Sequence, residues 1–500
     1  MGSPASTSTE DRSSEIYGLI GLFFLSILSL LIFRISGLEF PPVWPDEVLF
    51  YSPSLDFAKN GLFRTEVLEG LVKGMETKTL WMPPVFFLLN GWVLKFWGEG
   101  LEVLRLFAAI LSVASVWIFW FILKTFDYSP IARLGASLLL FTDLLFLRVG
   151  WTARMEALSL FWALLSLLVL ARKAKWKGEV PLKQYEAFFS GSFLGISFLS
   201  HPFGAIFGVP ALLLIHQAKA WKVWMFWLGG ALPILVWGIW IHPDWGIFFY
   251  QFGAQFGRKK DLFQSFSPIT KIKVLLGGYE SPGLRLFFYL ALAYGLWVVR
   301  GEIKDKPKSA FFFSAWTVSI LFFLILSTEY YYVMYLCIPL SALGGFFFER
   351  IRSRRVQFIA AILVFSNIAI LVNAYKRIGF GNPEFDLKDR FYEVLGPELK
   401  GSKKMYLQAI PDPYFHIQKE YPNLKVLEFI PGELPIPKED FIHTLDSIDT
   451  FVFSDRQKRN EFVQAYLEEN SSKFRKFRIT AEPSTLRKVA IVEAEVYRRR

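Results

Sequence analysis

The stretch IYGLIGLFFLSILSLLIFRI at residues 16–35 decides to which class of protein the chain belongs. It contains one charged residue, and at about 1.5 Å per residue its length suffices to cross the ~30 Å hydrocarbon core of a bilayer. The stretch is too long for the core of a signal peptide and has no small-residue cleavage site. We therefore interpret it as a retained transmembrane helix.

Further apolar runs of similar length indicate a protein with many membrane crossings. Hydrophobic residues make up 53% of the 500 residues and aromatic residues 18%, whereas soluble domains rarely exceed about half apolar residues. We predict an α-helical polytopic membrane fold with about eleven spans, at residues 16–35, 106–123, 131–147, 154–171, 187–200, 203–216, 222–241, 284–299, 309–327, 331–348 and 356–375.

Lysine and arginine cluster in short segments between these runs, which explains the net charge of +11 better than nucleic-acid binding does. With eleven crossings, the basic segments 172–186, 217–222, 300–308 and 350–355 all fall on one side, and the positive-inside rule assigns that side to the cytoplasm. We therefore predict a multi-pass protein of the cell membrane, with a cytoplasmic tail at residues 1–15 and an external C-terminus.

Two segments leave the number of spans open. The apolar run 85–97 is short and contains Asn90 and Lys95, which favours an interfacial or re-entrant helix over a span. The pair His201-Pro202 interrupts residues 187–216. One kinked helix there would place the basic segment 350–355 outside, so the charge rule favours two short helices that meet near His201.

The composition changes near residue 380, where charged residues become frequent and apolar runs shorten. We predict a membrane domain over residues 16–379 and an external α/β domain over residues 380–500. Its predicted strands, which alternate with helices, are Lys404–Ile410, Lys425–Ile430, Asp449–Phe453, Phe474–Thr480 and Val489–Glu493, and its predicted helices are Tyr414–Glu420, Lys438–Leu445 and Lys458–Asn470.

The segment between the first two spans, residues 36–105, is predicted to be external and carries the chemistry. It contains WPDEVLFY at residues 44–51, in which Asp46 and Glu47 are adjacent acids at a membrane surface. Acids near hydrocarbon are costly and indicate function. The alternative is a helix start, with Asp46 as the N-cap and Glu47 in the first turn.

Several motifs in a fixed order resemble one family. WPDEVLFYSPSLDFAKNG (44–61), MPPVFFLLNGWVLKFWG (82–98), LEVLRLFAAIL (101–111) and GWTARMEALSLF (150–161) are similar to the dolichyl-phosphate-mannose–protein mannosyltransferases and the bacterial lipid A aminoarabinose transferase. LSHPFGAIFGVPALL (199–213) and YYYVMYLCIPLSAL (330–343) also resemble helices of these C-type (GT-C) membrane glycosyltransferases. The resemblance covers roughly residues 16–350, and the order of the motifs is more specific than any one of them.

The resemblance implies a hexosyl- or pentosyltransferase that takes its sugar from a polyprenyl phosphate. The acceptor, a protein, lipid or glycan, would lie on the external side. The family's acidic pair corresponds to Asp46, the expected base, and to Glu47, which would hold the acceptor or the base. Where the family usually has Lys or His before Pro-Pro, this chain has Met82, which puts a donor contact from that position in doubt.

Two arginines are the predicted ligands of the donor phosphate. Arg105 opens the span of the LEVLRL motif, and Arg154 lies in the next external turn, where the family places an arginine. A guanidinium fork can bind a phosphate through two hydrogen bonds. The alternative for each is snorkelling to lipid headgroups. Arg148 is interpreted as interfacial, and Glu156 as a partner for Arg154.

The remaining candidates are possible substrate-binding side chains: Tyr51, His201, Tyr330 and Tyr331. For the tyrosines at residues 330–332, an aromatic belt at the interface is the alternative to sugar stacking. His201, His242 and Glu47 could in principle hold a divalent ion, but their spacing is no metal signature, so no metal ligands are assigned and the question of a cofactor stays open.

Two other classes of protein compete with a transferase. A polytopic transporter or flippase for lipid-linked sugars should place charged or broken helices at mid-membrane and often has an inverted repeat. Here the charged candidates lie at one interface, and no repeat is visible. A non-catalytic relative that binds a lipid-linked sugar is the third reading, against which the intact acidic pair argues.

Overall fold

The structure is a computed structural model. It describes residues 9–36, 43–173, 182–217, 224–257, 267–279, 281–303, 307–325, 327, 329–349, 353–378, 387–409, 412–428, 443–454, 459–481 and 492–500.

The membrane domain is built from helices, because long apolar runs satisfy their backbone hydrogen bonds internally in this form. In chain order they are α1 (Thr9–Ser36), α2 (Pro45–Asn60), α3 (Val85–Trp97), α4 (Leu101–Thr125), α5 (Pro130–Phe141), α6 (Leu144–Gly150), α7 (Met155–Lys173), α8 (Gln184–Ser200), α9 (Gly208–Gln217), α10 (Trp224–Ile241), α11 (Trp245–Gly257), α12 (Pro268–Leu276), α13 (Pro282–Val298), α14 (Arg300–Ile303), α15 (Pro307–Ile325), α16 (Val333–Glu349) and α17 (Arg354–Ile378).

Each of the eleven predicted spans corresponds to helical structure. Within the described residues, seven helices are long and apolar enough to cross a bilayer, and an eighth crossing results if α5 and α6 form one bent span. The other three predicted spans are the shorter helices α8, α13, and α9 with the 3-10 turn that precedes it. The polytopic helical fold is thus confirmed, while the number of crossings stays a prediction.

The span predicted at residues 131–147 contains a break that the sequence did not predict. Helices α5 and α6 meet at an angle of 66°. The break occurs because Asp143 starts a new helix: its Oδ1 accepts hydrogen bonds from the backbone N–H groups of Leu145 and Phe146, at 3.0 and 3.1 Å. Its other oxygen, Oδ2, lies 2.7 Å from Nη1 of the buried Arg285 on α13.

A second break was predicted correctly. Helix α8 ends at Ser200, His201 has an extended backbone with φ −155° and ψ 130°, and a 3-10 turn begins at Pro202. Proline disfavours helical backbone at the residue before it, which explains the position of the break.

The loop between α1 and α4 folds into two helices, α2 and α3, and α3 has the bounds of the predicted interfacial or re-entrant helix. The two helices approach closely at Gly91, where a Cβ atom would lie 2.9 Å from the backbone oxygen of Ser54. Gln251 on α11 holds the intervening segment through hydrogen bonds with the backbone of Lys73, Lys78 and Leu80. The loop is therefore a packed layer over the helices.

The C-terminal part is a small α/β domain, as predicted. Its sheet has five strands: β1 (Lys404–Gln408), β2 (Lys425–Glu428), β3 (Thr450–Ser454), β4 (Phe474–Ala481) and β5 (Val492–Arg499). Their order is β2-β1-β3-β5-β4; β1 pairs in parallel with β2 and β3, and β5 pairs antiparallel with β3 and β4. The helices of this domain are α18 (Leu387–Leu395), α19 (Tyr414–Glu420) and α20 (Glu461–Glu469). Residues 410, 429–430, 438–442, 458 and 489–491, which are parts of predicted strands and helices, lie outside the described residues.

This α/β domain packs on the α2–α3 loop. The ring of Phe415 on α19 lies 5.0 Å from that of Tyr51 on α2, and the hydroxyl of Thr444 donates to the carbonyl oxygen of Gly70 at 2.8 Å. Lys425 on β2 forms an ion pair with Glu69. The loop and the α/β domain thus lie on the same side of the helical domain and share one hydrophobic core.

Candidate active site

The acidic pair lies at the start of α2. Trp44 has an extended backbone, Pro45 is the first helical residue, and the N–H of Glu47 donates to the carbonyl oxygen of Trp44 at 2.9 Å. Proline suits this position because its missing N–H would have had no partner in the helix. A helix does start here, but the alternative that Asp46 is its N-cap is wrong, because Trp44 occupies that position and Asp46 lies within the first turn. A helix start also does not account for the contacts that the two side chains make.

Glu47 is buried completely and points into the membrane domain. Its Oε1 and Oε2 accept hydrogen bonds from Nε and Nη2 of Arg105 on α4, at 2.9 and 2.5 Å, and neither side chain is exposed. The backbone N–H of Ala153 donates to Oε1 at 2.9 Å. A forked ion pair of this kind fixes both partners, so Glu47 connects α2 to α4 and to the turn before α7.

Asp46 has a different environment. Its Oδ2 accepts a hydrogen bond from Nη1 of Arg154 at 2.5 Å, and its side chain is 18% exposed. Among the described residues, Arg154 is its only hydrogen-bond partner, and Oδ1 has none. Of the two adjacent acids, Asp46 is therefore the one that a substrate can reach.

Arg154 joins two acids. Its Nη2 and Nε donate to Glu156 at 2.9 and 3.3 Å while Nη1 holds Asp46, and the guanidinium lies 4.0 Å from the ring centre of Tyr331. The predicted pairing of Arg154 with Glu156 is confirmed. The aromatic face and the two carboxylates hold the guanidinium in one orientation.

Tyr331 belongs to a 3-10 turn, Tyr330–Tyr332, which we call the tyrosine turn. A second arginine lies beside this turn. The guanidinium of Arg148 is 5.8 Å from the ring of Tyr330, and its Nη1 donates to the carbonyl oxygen of Gly278 at 3.5 Å. The rings of Tyr330 and Tyr331 lie 5.8 Å apart, so that each faces one arginine. Two cations therefore lie beside this turn, although the sequence had suggested only an interfacial role for Arg148.

The other candidates lie at different distances from Asp46. His201 is buried, with its ring 5.6 Å from that of Tyr332, and so it borders the tyrosine turn. Tyr51 is buried against Phe415, and burial raises the pKa of its phenol above the ordinary value, so that it remains neutral. The structure thus brings together Asp46, Glu47, Arg105 and Arg154, with Tyr331 beside them and Tyr51 facing the α/β domain.

One acid that the sequence interpretation missed approaches the site from the α/β domain. The N–H of Asp412 donates to the carbonyl oxygen of Val43 at 3.3 Å, one residue before the WPDE motif. Asp412 is 1% exposed. Burial, together with the negative charge of Glu47, raises the pKa of its carboxyl to about 7. The only sequence signal was an Asp between two prolines directly after a predicted strand.

No cluster of three or more His, Cys, Asp or Glu side chains with the geometry of a metal site occurs in the described part of the chain. In particular, His201, His242 and Glu47, which the sequence analysis considered as metal ligands, do not form such a cluster among the described residues. Glu47 instead uses both oxygens to contact Arg105.

Comparisons with known proteins find one family model that matches part of the chain and several solved structures of similar fold. Residues 82–241 match the family model of the dolichyl-phosphate-mannose–protein mannosyltransferases. No curated protein matches the chain in sequence. The crystal structure of ArnT from Cupriavidus metallidurans in the apo state is similar with a TM-score of 0.53 at 12% identity, over 95% of this chain and 97% of that chain.

Two further solved structures resemble the chain more distantly. ArnT from Cupriavidus metallidurans bound to undecaprenyl phosphate gives a TM-score of 0.49 at 12% identity, over 95% of this chain and 97% of that chain. The oligosaccharyltransferase AglB from Archaeoglobus fulgidus, in complex with an inhibitory peptide and a dolichol-phosphate, gives 0.46 at 12% identity, over 88% of this chain and 69% of that chain.

Proposed function

We propose that the chain is a C-type (GT-C) membrane glycosyltransferase, which moves a sugar from a polyprenyl-phosphate-linked donor to an acceptor on the external side of the membrane; the partial family match and the similar fold support this proposal. The observation that carries this proposal is the environment of Asp46. It is a partly exposed carboxylate with one oxygen held by Arg154 and the other available to a substrate, at the surface of the helical domain.

The reaction requires few protein groups. An acceptor hydroxyl attacks the anomeric carbon, the bond between that carbon and the phosphate oxygen breaks, and the polyprenyl phosphate leaves with the bonding electrons. Oδ1 of Asp46 would take the proton of the acceptor as general base. Transfer by direct displacement inverts the anomeric configuration.

The departing phosphate needs positive charge, and the two arginines beside the tyrosine turn would supply it. Arg154 and Arg148 each lie over one ring of Tyr330 and Tyr331, and guanidinium groups suit phosphate oxygens. A phosphate that competes for Nη1 of Arg154 would release Oδ2 of Asp46. In this proposal, donor binding therefore prepares the base for catalysis.

Glu47 and Arg105 have a supporting role in this mechanism. Their ion pair has no exposed surface, which favours a role in positioning Asp46 over direct contact with the donor. The prediction that Arg105 binds the phosphate remains open to experiment, and a test that separates the two roles is described in the Discussion.

The decisive experiment uses the purified protein in lipid nanodiscs with a panel of polyprenyl phosphates that carry radiolabelled sugars. We expect label to leave the lipid in the wild type, and Asp46→Asn to lower this rate by ~10²–10⁴, the usual contribution of a positioned base. Donor binding should be retained. Asp244→Asn is the matched control, because Asp244 is also a partly exposed acid paired with a cation, Lys78.

Two outcomes would contradict the proposal. If Asp46→Asn turns over every donor at the wild-type rate, the acid is only part of a helix start. If labelled lipid crosses the bilayer of a proteoliposome while the sugar stays attached, the protein is a flippase, which is the alternative that the sequence left open.

A further inference from the structure

The α/β domain brings a third acid, which follows β1, to the loop between α1 and α4 that carries Asp46 and Glu47. We call this loop the acidic loop. Ligand sites of sheets with parallel strands usually lie at the carboxyl ends of the strands, and here that edge faces α2. Asp412 follows β1, and its N–H bonds to the carbonyl oxygen of Val43. Three residues farther, Phe415 contacts Tyr51. One turn of the α/β domain thus contacts both the segment that precedes α2 and a side chain within α2.

The side chain of Asp412 is bound on one side only. Its Oδ1 accepts a hydrogen bond from the N–H of Tyr414 at 2.9 Å. Its Oδ2 is buried and has no hydrogen-bond partner among the described residues. An ionised carboxylate in this position would be costly, because a buried charge is tolerated only when it is paired and hydrogen-bonded.

The charged and titratable groups around Asp412 do not favour ionisation. From the membrane side, the charge of Glu47, which is paired with Arg105, acts on Asp412. From the α/β domain, the N–H of Tyr414 contacts Asp412, while Glu428, Glu66 and Tyr51 interact with the neighbouring phenol of Tyr414. Burial and the charge of Glu47 act in the same direction and raise the pKa of Asp412 to about 7, against the effect of the Tyr414 N–H.

We propose that Asp412 is a positioning residue of the transferase: its backbone N–H holds the α/β domain against Val43, and its buried side chain, when neutral, allows the domain to pack closely on the turn that carries Asp46 and Glu47. When Asp412 loses its proton, a second carboxylate stands beside Glu47, and the contact between domain and loop loosens. The α/β domain therefore supports the active site directly. This inference rests on the proposed function for its effect on the reaction rate, but not for its effect on stability.

The first test is the pH profile of sugar transfer for the wild type and Asp412→Asn. Asparagine is nearly isosteric, can accept the hydrogen bond from Tyr414 and remains neutral. With the pKa near 7, the neutral fraction of Asp412 falls about tenfold between pH 6 and pH 8, because one pH unit changes the proton equilibrium tenfold. The ratio of the variant rate to the wild-type rate should rise about tenfold over this range.

A matched control keeps this result specific. Asp446→Asn changes an exposed acid of the same domain, one that accepts a hydrogen bond from Tyr466, and should leave the pH profile as in the wild type. Identical profiles for the wild type and Asp412→Asn would overturn the proposal. A folded Asp412→Asn variant that is inactive at every pH would also overturn it, because the charged form would then be required.

The second test does not depend on sugar transfer. A carboxyl whose pKa is raised by folding is protonated in the folded state and ionised in the unfolded state between about pH 4 and pH 7, so its contribution to stability falls as pH rises through that window. The apparent melting temperature of the wild type, relative to Asp412→Asn, should therefore fall from pH 5 to pH 7 and then stay level. A constant difference would overturn the proposal. If the difference titrates but no donor is ever consumed, the contact is supported and only the proposed function fails.

Discussion

Asp46 and Glu47 are neighbours in sequence, yet a helix turns by about 100° per residue and sends their side chains to different places. Glu47 points to Arg105 and the N–H of Ala153, and Asp46 points to Arg154. The sequence identified this pair as the candidate acids but could not divide their roles. The contacts that divide them come from residues 58 to 108 positions away along the chain.

The buried ion pair of Glu47 and Arg105 leads to a stability prediction. Arg105→Ala leaves the Glu47 carboxylate buried without its cation, and such a loss usually costs about 3–5 kcal/mol. Arg105→Lys should recover part of this, because lysine keeps the charge but lacks the fork. The apparent melting temperature in detergent measures the effect. Lys59→Ala is the control, since Lys59 pairs with Glu99 at 2.9 Å while both side chains are about half exposed, and its loss should cost less than about 1 kcal/mol.

Donor kinetics then separate the two roles of Arg105. If it binds the donor phosphate, as the sequence predicted, Arg105→Ala should weaken donor use by about 2–3 kcal/mol while the protein stays stable. If it positions Glu47, the melting temperature and the maximal rate should fall together, with little change in the dependence on donor concentration. An alanine variant that is as stable and as active as the wild type would exclude both roles.

At the scale of elements, helix α6 connects a second buried ion pair, Asp143 with Arg285, to the candidate active site. Its first turn is capped by Asp143, which contacts Arg285, and its last turn carries Arg148 beside Tyr330. Apolar run lengths predicted the helices themselves well, because the hydrophobic period reflects which residues must face lipid or core. They could not predict the break, because Asp143 stands in a run that otherwise favours one helix, and its partner Arg285 lies 142 residues away.

The pair of Asp143 and Arg285 should be strongly coupled. Asp143→Asn keeps the cap on α6 but leaves the guanidinium of Arg285, which is buried among three aromatic rings, without a carboxylate. Arg285→Gln leaves Asp143 in the same position. Each single variant should lose about 3–5 kcal/mol, and the double variant should lose less than the sum, as a double-mutant cycle of melting temperatures would reveal. Additive losses would mean that the two side chains do not depend on each other.

At the scale of the whole molecule, ionic contacts assign the helix ends to two sides. On one side, Glu15 near the start of α1 pairs with Lys124 at the end of α4 and with Arg133 on α5, and Glu349 at the end of α16 accepts from the N–H of Ser129. On the other side lie the acidic loop and the α/β domain that packs on it. The basic segments predict which side is cytoplasmic, and that assignment stays a prediction. The sequence also predicted the α/β domain, but not that the domain contacts the acidic loop. Contacts between distant surfaces leave no periodic pattern in a sequence.

The two sides can be assigned to compartments by reporter fusions. The basic segments 172–186 and 350–355 should be cytoplasmic by the positive-inside rule, and Glu349 directly precedes the second of them on the side of Glu15. A reporter inserted near Lys177 should therefore be active in the cytoplasm, and one fused after Tyr375 should be active outside. A reporter inserted after Asp127, in the turn between α4 and α5, is the control and should agree with the first, because Lys124 and Arg133 around it share Glu15. If the reporters at Lys177 and after Tyr375 report the same side, the eleven-span arrangement is wrong. If all three reporters are reversed, the charge rule fails for this protein, and the acidic loop would face the cytoplasm.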